Sequence, residues 1–372
     1  MSDHSDRAGR GATWRPDVRL ALGNLLFSTR FATIWIAMAA LLVICRIAAP
    51  SVLSSASWSS LLPLGSVVAI VALGQMLVIM MGGIDLSMGA SISLLANVLV
   101  GVSKGSDDRL ARAIVVVFVV AAVIGLVNGL LVAVLELNPL IVTLATSLIL
   151  LGITSEYRAG TANNSSVPDN LSDFVFAKVL GVSKTFWFVV ALTLVLGLLL
   201  RSSAVGRRFQ AVGANRRAAW MAGFRVRLYI VGAYVAASIG AGLAAIFIGG
   251  IVVNPGVNPG ASYLLGPVAA VVLGGAALSG GLASPASTWV AAFFVTLLNQ
   301  MLKVLGLTNA SQFVVFGAAI VVGMLISGDR IAELIGRLLL RPSLRRYIDG
   351  DDEAEPRARP ATQLDHAVSR QT

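Results

Sequence analysis

Read for its hydrophobic and polar positions, the chain alternates long apolar runs with short polar punctuation. Runs of membrane-spanning length fall near 31–50, 61–81, 86–103, 111–135, 139–156, 185–200, 226–251, 262–277, 287–305 and 309–327. About 20 apolar residues in a helix cross a hydrocarbon layer of about 30 Å, so the pattern predicts about ten transmembrane helices. Several runs contain Gly and Pro, which allows broken or re-entrant crossings where neighbours re-satisfy the backbone. The expected fold class is all-α: a polytopic integral membrane protein with its membrane domain over 31–327. A basic segment, 1–30, precedes it. A charged tail, 328–372, follows, and its composition beyond 347 favours partial disorder.

Composition agrees. With 57% hydrophobic and 12% charged residues and a mean hydropathy of +0.86, the chain is about half as charged as a soluble domain. The first apolar run exceeds the roughly 7–15 residues of a signal-peptide core, so it reads as a span behind an uncleaved start. An even number of crossings puts both termini on one side. Of 28 Lys and Arg, 20 lie in the amino-terminal segment, in 201–227 and after 328. The others are Arg46, Lys104, Arg109, Arg112, Arg158, Lys178, Lys184 and Lys303. The positive-inside rule makes the richer side, with both termini, cytoplasmic.

The net charge of +10 is spread over loops and tails, which suits anionic membrane lipid and gives no nucleic-acid face. Cys45 is alone in the first span, and His4 and His366 lie near the chain ends. That leaves no disulfide framework, no metal cluster and no histidine-based catalytic centre. No paired carboxylates replace them, so an enzyme is not expected.

The segment GQMLVIMMGGIDLSMGAS, residues 74–91, sets two glycines and a carboxylate between apolar runs. A carboxylate at the bilayer centre costs about 2.5–3.5 kcal/mol, so Gly82, Gly83, Asp85 and Ser87 read as a break between helices. Two roles stay open for Asp85: a cap on the amides opening the third span, or part of a gate. Further uncharged polar residues at expected membrane depth are Gln75, Asn97, Asn128, Thr143, Thr146, Ser279 and Asn299. They form a candidate substrate pathway for a neutral polyol such as a sugar. Interhelical hydrogen bonding is the competing reading for each.

Two loops are long. The outer one, 156–185, either docks a partner or caps the bundle. The inner one, 202–227, contains a helical heart with Ala211, Ala214, Ala218 and Ala222 on one small-residue stripe, flanked by arginines and bracketed by Gly206 and Gly223. Such a face suits a protein socket better than a membrane surface, where bulkier residues dominate.

GRRFQAVGANRRAAWMAGF, MGGIDLSMGA, NPLIVTLATSLILLGI and GPVAAVVLGGAALSGG together resemble, over roughly residues 60–327, the permease subunits of bacterial ATP-binding-cassette importers of the ribose, xylose and autoinducer-2 branch. The resemblance implies an inner-membrane protein acting with a second permease subunit, two cytoplasmic P-loop ATPase subunits and an extracytoplasmic sugar-binding protein. It makes Gly206, Arg207, Ala211, Gly213, Asn215, Ala218, Ala219 and Gly223 the ATPase-coupling loop. It assigns this chain no cofactor, because ATP and its magnesium belong to the ATPase subunits, and no phosphate-cradling loop occurs here. Some positions depart from the pattern: Arg217 stands where an acid is usual, Trp220 where a base is common, and Leu282-Ala283 where a base followed by glycine is usual after Ser279-Gly280-Gly281. An ion-coupled secondary transporter of a small polar solute is the alternative, but only Asp85 and Glu136 lie near spans to serve it.

Overall fold

The computed structural model describes residues 29–160, 166–308 and part of 310–321. The expected tenth span lies largely outside these residues, as do the amino-terminal segment and the tail. All described elements but one small β pair are helical.

Twelve α-helices run along the described chain: α1 (Thr29–Ala48), α2 (Ser55–Met80), α3 (Met88–Ser103), α4 (Leu110–Ala133), α5 (Pro139–Gly160), α6 (Asp169–Phe176), α7 (Lys184–Ser202), α8 (Ala204–Ala214), α9 (Arg216–Met221), α10 (Val226–Val252), α11 (Gly266–Leu273) and α12 (Pro285–Val304). Strands β1 (Lys178–Val179) and β2 (Val182–Ser183) pair antiparallel, Lys178 opposite Ser183 and Val179 opposite Val182. Side-chain caps start several helices. The Ser54 hydroxyl accepts from Ser57 N–H before α2, that of Ser183 from Thr185 before α7, and that of Ser284 from Ser287 before α12. Each satisfies an amide that has no partner inside its own helix.

Five helices are long and apolar enough to cross a membrane, namely α2, α4 with the turn before it, α5, α7 and α10. The apolar helices α3 and α11, and most of α1, are shorter. α2 and α10 are mostly buried and form the centre, whereas α4, α5 and α7 leave most of their apolar surface exposed. That exposed surface is what a bilayer covers, since lipid is as apolar as leucine.

The run at 262–277 is one of those whose glycines and prolines allow a broken crossing, and its helix is short. This helix, α11, has eight residues, or about 12 Å at 1.5 Å per residue, too short for a 30 Å layer. Residues 253–260 precede it in non-helical form and lie along α3. The Asn97 amide donates to Gly256 O (3.2 Å), the Ser93 hydroxyl donates to Asn258 Oδ1 (2.7 Å), and Gly260 N–H donates to the Ser93 hydroxyl (3.0 Å). A Cβ on Gly89 would stand 2.9 Å from Gly260 O, so the two backbones touch. The chain thus passes from the end of α10 down α3 and on through α11 to the end of α2: a crossing half unwound and half helical.

Candidate functional site

The first break lies where GGIDLS predicts one. Gly82 adopts φ +71°, a left-handed conformation that glycine takes without strain, and turns the chain out of α2. At Gly83 a Cβ would lie 2.6 Å from the Tyr234 hydroxyl of α10, so any larger residue collides there.

Beyond the glycines the backbone is held by side chains from neighbouring helices. The Gln75 amide, oriented to satisfy both its ends, donates to Asp85 O (3.2 Å) and accepts from Asp85 N–H (3.1 Å), as a neighbouring strand would. Leu86 N–H donates to the Thr143 hydroxyl (3.0 Å) from α5, which also lies 2.9 Å from its own helix's Pro139 O. The Thr146 hydroxyl donates to Asn128 Oδ1 (2.7 Å), and Asn128 Nδ2 donates to the Ser87 hydroxyl (2.9 Å). The Ser87 hydroxyl donates in turn to Asp85 Oδ1 (2.5 Å). This file of hydrogen bonds crosses from α5 through α4 to the break.

Asp85 does not cap α3. Its Oδ1 accepts the Ser87 N–H (2.8 Å) as well as that hydroxyl, while Ser87 itself stands at the N-cap position with no side-chain cap bond. The reason is reach: an N-cap side chain bonds the amides two and three residues on, and Asp85 sits two residues too early for those of the first turn. The carboxylate is buried, and its Oδ2 has no hydrogen-bond partner.

The candidate pathway residues divide accordingly. Gln75, Asn128, Thr143 and Thr146 converge on the first break, and all of them spend their polar atoms on protein. Asn97 belongs to the second break, where its oxygen also accepts from Arg158 Nη1 (3.2 Å). Ser279 is exposed in the turn after α11, which ends earlier than the hydropathy implies, and its carbonyl oxygen lies 3.5 Å from where a Cβ on Gly82 would stand. Asn299 stands apart on α12 with its Oδ1 buried and unpartnered.

The coupling loop folds as two helices rather than one. Asn215 is extended (φ −156°, ψ 101°), ends α8, and caps α9 by accepting Ala218 N–H (3.0 Å). The alanine stripe is therefore divided: Ala211 and Ala214 lie on α8, Ala218 on α9 and Ala222 just beyond, all four exposed. Asn local hydrogen bonding competes with helix continuation, which the spacing of alanines does not reveal. Trp220 and Met221 are 70% and 75% exposed beside the stripe, leaving a bare apolar and small-residue surface. Gly206 and Ala219 are buried, Gly213 is half-buried, Arg207 is exposed and donates to Ser202 O, and Gly223 turns the chain at φ +82°.

α8 meets the first break at one junction. Gly281 N–H donates to Met80 O (2.9 Å), and a Cβ on Gly280 would lie 2.8 Å from Gly213 O and 3.0 Å from Met80 O. A Cβ on Gly213 would strike Met80 O, and the Arg216 guanidinium donates to Met81 O. Three backbones, from α2, α8 and the turn after α11, touch without intervening side chains. Sequence reasoning missed Tyr234, Arg216 and the second break. The repeated Asn-Pro-Gly of NPGVNPG, 254–260, carried a signal for the last.

Helical membrane architecture, broken crossings and a polar loop projecting from the bundle define a multi-pass transport permease. Residues 57–325 match the family described as the branched-chain amino acid transport system / permease component, and the chain belongs to that family. It is 32% identical to the ribose import permease protein RbsC of Bacillus subtilis, over 78% of this chain and 91% of the relative. It is 29% identical to the galactose/methyl galactoside import permease protein MglC of Escherichia coli, over 80% of this chain and 94% of the relative. To the autoinducer 2 import system permease protein LsrD of Photorhabdus temperata it is 30% identical, over 69% and 78%. No solved structure matches. The protein is a membrane component of an importer and not an enzyme.

Proposed function

We propose that this chain forms the translocation pathway of an ATP-driven importer for a neutral sugar or related polyol. In this reading it pairs with a second permease subunit, takes sugar from an extracytoplasmic binding protein, and engages two ATPase subunits that bind ATP and magnesium. Both termini and α8–α9 face the cytoplasm, as the distribution of basic residues favours. The exposed face of Ala218, Trp220 and Met221 enters the ATPase subunit.

The observation that carries the reading is the backbone junction of Gly213, Met80 and Gly281. A push on α8 reaches the end of α2 with no soft side chain to absorb it, and the flexible Gly82 lies next along the chain. Close-packed interiors transmit such displacements. The relatives named for ribose and galactose import favour a sugar, whereas the family's description speaks of branched-chain amino acids. Uptake by vesicles carrying the assembled transporter, tested with labelled pentoses, hexoses and leucine, decides between them. Uptake of leucine in preference to every sugar would overturn the sugar assignment.

A further inference from the structure

A groove of about 1270 Å³ opens beside the coupling loop, walled by the end of α4, the link from α4 to α5, α9 and the start of α10. Its chemistry is lopsided. Arg216 and Arg217 enter from α9, Arg225 and Arg227 from the approach to α10, and the single acid is Glu136. Glu136 lies 3.4 Å from Arg227, with both side chains mostly exposed, so this pair neutralises little. Arg216 gives part of its guanidinium to Met81 O. Arg217 and Arg225 are exposed and have no ion-pair partner among the described residues. Arg208 adds a further cation 5.8 Å from the ring of Phe224, one of the groove's aromatic walls.

The groove is also continuous with the apolar outside of the bundle. Leu137 lines it, and Leu135, Leu140, Ile141 and Leu228 beside it are exposed at the ends of helices that a bilayer surrounds. A free phosphate or a nucleotide would use the arginines and leave the apolar shelf bare. An acidic protein segment would use neither shelf nor bilayer. A molecule with an anionic phosphate ester at one end and hydrocarbon at the other uses both.

We propose that this groove is a binding site for an anionic phospholipid, its headgroup phosphate held by Arg217 and Arg225 and its acyl chains laid along Leu137, Leu140 and Ile141. Guanidinium forks match phosphate oxygens in paired hydrogen bonds. The site goes beyond the import function, since nothing in transport by itself requires it.

The test is lipid retention by the full-length permease, purified in mild detergent and exchanged into micelles with equal phosphatidylglycerol and phosphatidylcholine, then read by native mass spectrometry. Wild type should retain phosphatidylglycerol preferentially. The exposed double variant Arg217→Gln/Arg225→Gln should lower that retention at least about 5-fold. A control, Arg201→Gln/Arg207→Gln, removes the same charge at exposed positions of the same region and should stay within about 2-fold of wild type. Equal losses in the two pairs, or no lipid preference in wild type, would overturn the site in favour of diffuse attraction. Displacement of the lipid by millimolar inorganic phosphate would assign the groove to a free anion instead. Stoichiometric loss of the lipid when the ATPase subunits co-purify would assign it to the partner protein.

Discussion

The two breaks solve one problem in opposite ways. Both interrupt a membrane crossing and leave backbone groups without helical partners, which hydrocarbon does not tolerate. The first, 82–87, is short, with Gly83, Asp85 and Ser87 buried and Ile84 and Leu86 half-buried, and its amides and carbonyls are met by Gln75 of α2, by Thr143 of α5 and by the Asp85 carboxylate. The second, 253–260, is mostly exposed and is tied chiefly to α3, with Val253 O accepting Val167 N–H (2.9 Å) at its upper end. A sealed break transmits displacement, whereas an open break offers polar backbone and the Asn254 and Asn258 amides to whatever occupies the space beside it. Unwound segments lining a cavity at membrane depth are where transporters commonly hold substrate. In the proposed function, coupling falls to the first break and sugar contact to the second.

The largest effect is expected at the junction that joins the first break to α8. Gly280 has φ +97°, where a side chain is strained, and its Cβ would press on carbonyl oxygens of both Gly213 and Met80. Gly280→Ala should lower sugar uptake by at least about 10-fold, from strain of about 1–3 kcal/mol at a site that must move. Uptake is measured per folded permease, alongside ATP hydrolysis with and without the binding protein. Wild-type uptake at normal membrane levels would remove the junction from the coupling path.

Next comes the surface that carries the push. Ala218→Trp places a large ring on an exposed face, so the permease should fold normally while losing its ATPase subunits on purification and with them most of its uptake. Normal co-purification together with normal transport would place the socket elsewhere.

A smaller and more discriminating pair tests Asp85. Asp85→Ala removes both bonds to Ser87, and with them about 1–3 kcal/mol in a buried setting. Asp85→Asn keeps the accepting oxygen but puts an amide donor where Oδ2 has no partner, which costs less than the loss of both bonds but more than nothing. Asparagine should retain partial uptake and alanine little. Full uptake by Asp85→Ala at normal expression would separate the carboxylate from function altogether.

The sequence exposed the helices readily and the breaks unevenly. Hydropathy located α2, α4, α5, α7 and α10 to within a few residues, apart from the longer entry to α2, because apolar length is what the bilayer selects. It overextended the run at 262–277, since the non-helical stretches on either side of α11, with Leu264 and Leu265 before it and Gly274, Gly275, Ala276 and Ala277 after it, read as apolar as a helix. It also gave the first break its glycines and Asp85 but hid their partners. Gln75, Asn128, Thr143 and Thr146 looked like a polar pathway because a hydrogen bond satisfied across helices and one awaiting a sugar leave the same residue types in the sequence. The split at Asn215 escaped for a related reason: the alanine spacing fits one helix, and only the Asn side chain's bond to Ala218 N–H records the stop.

The smallest expected effect sharpens the comparison most. Thr146→Val keeps the shape of the side chain and removes the outermost bond of the file that runs through Asn128 and Ser87 to Asp85. An interhelical bond of this kind in a membrane contributes about 0.6 kcal/mol on average, so uptake should stay within about 3-fold of wild type. Ser93→Ala is the counterpart at the second break, where the hydroxyl both donates to Asn258 Oδ1 and accepts Gly260 N–H. If the breaks divide labour, Thr146→Val should shift the ATP hydrolysed per sugar imported and leave the sugar's half-saturating concentration unchanged. Ser93→Ala should raise that concentration and leave the ATP ratio unchanged, because it loosens the exposed segment without touching the junction with α8. The two ratios are measured in one vesicle preparation with a saturating binding protein. A result in which both variants moved the same quantity would mean that the breaks act as one element, and the sealed and open geometries would then reflect packing alone.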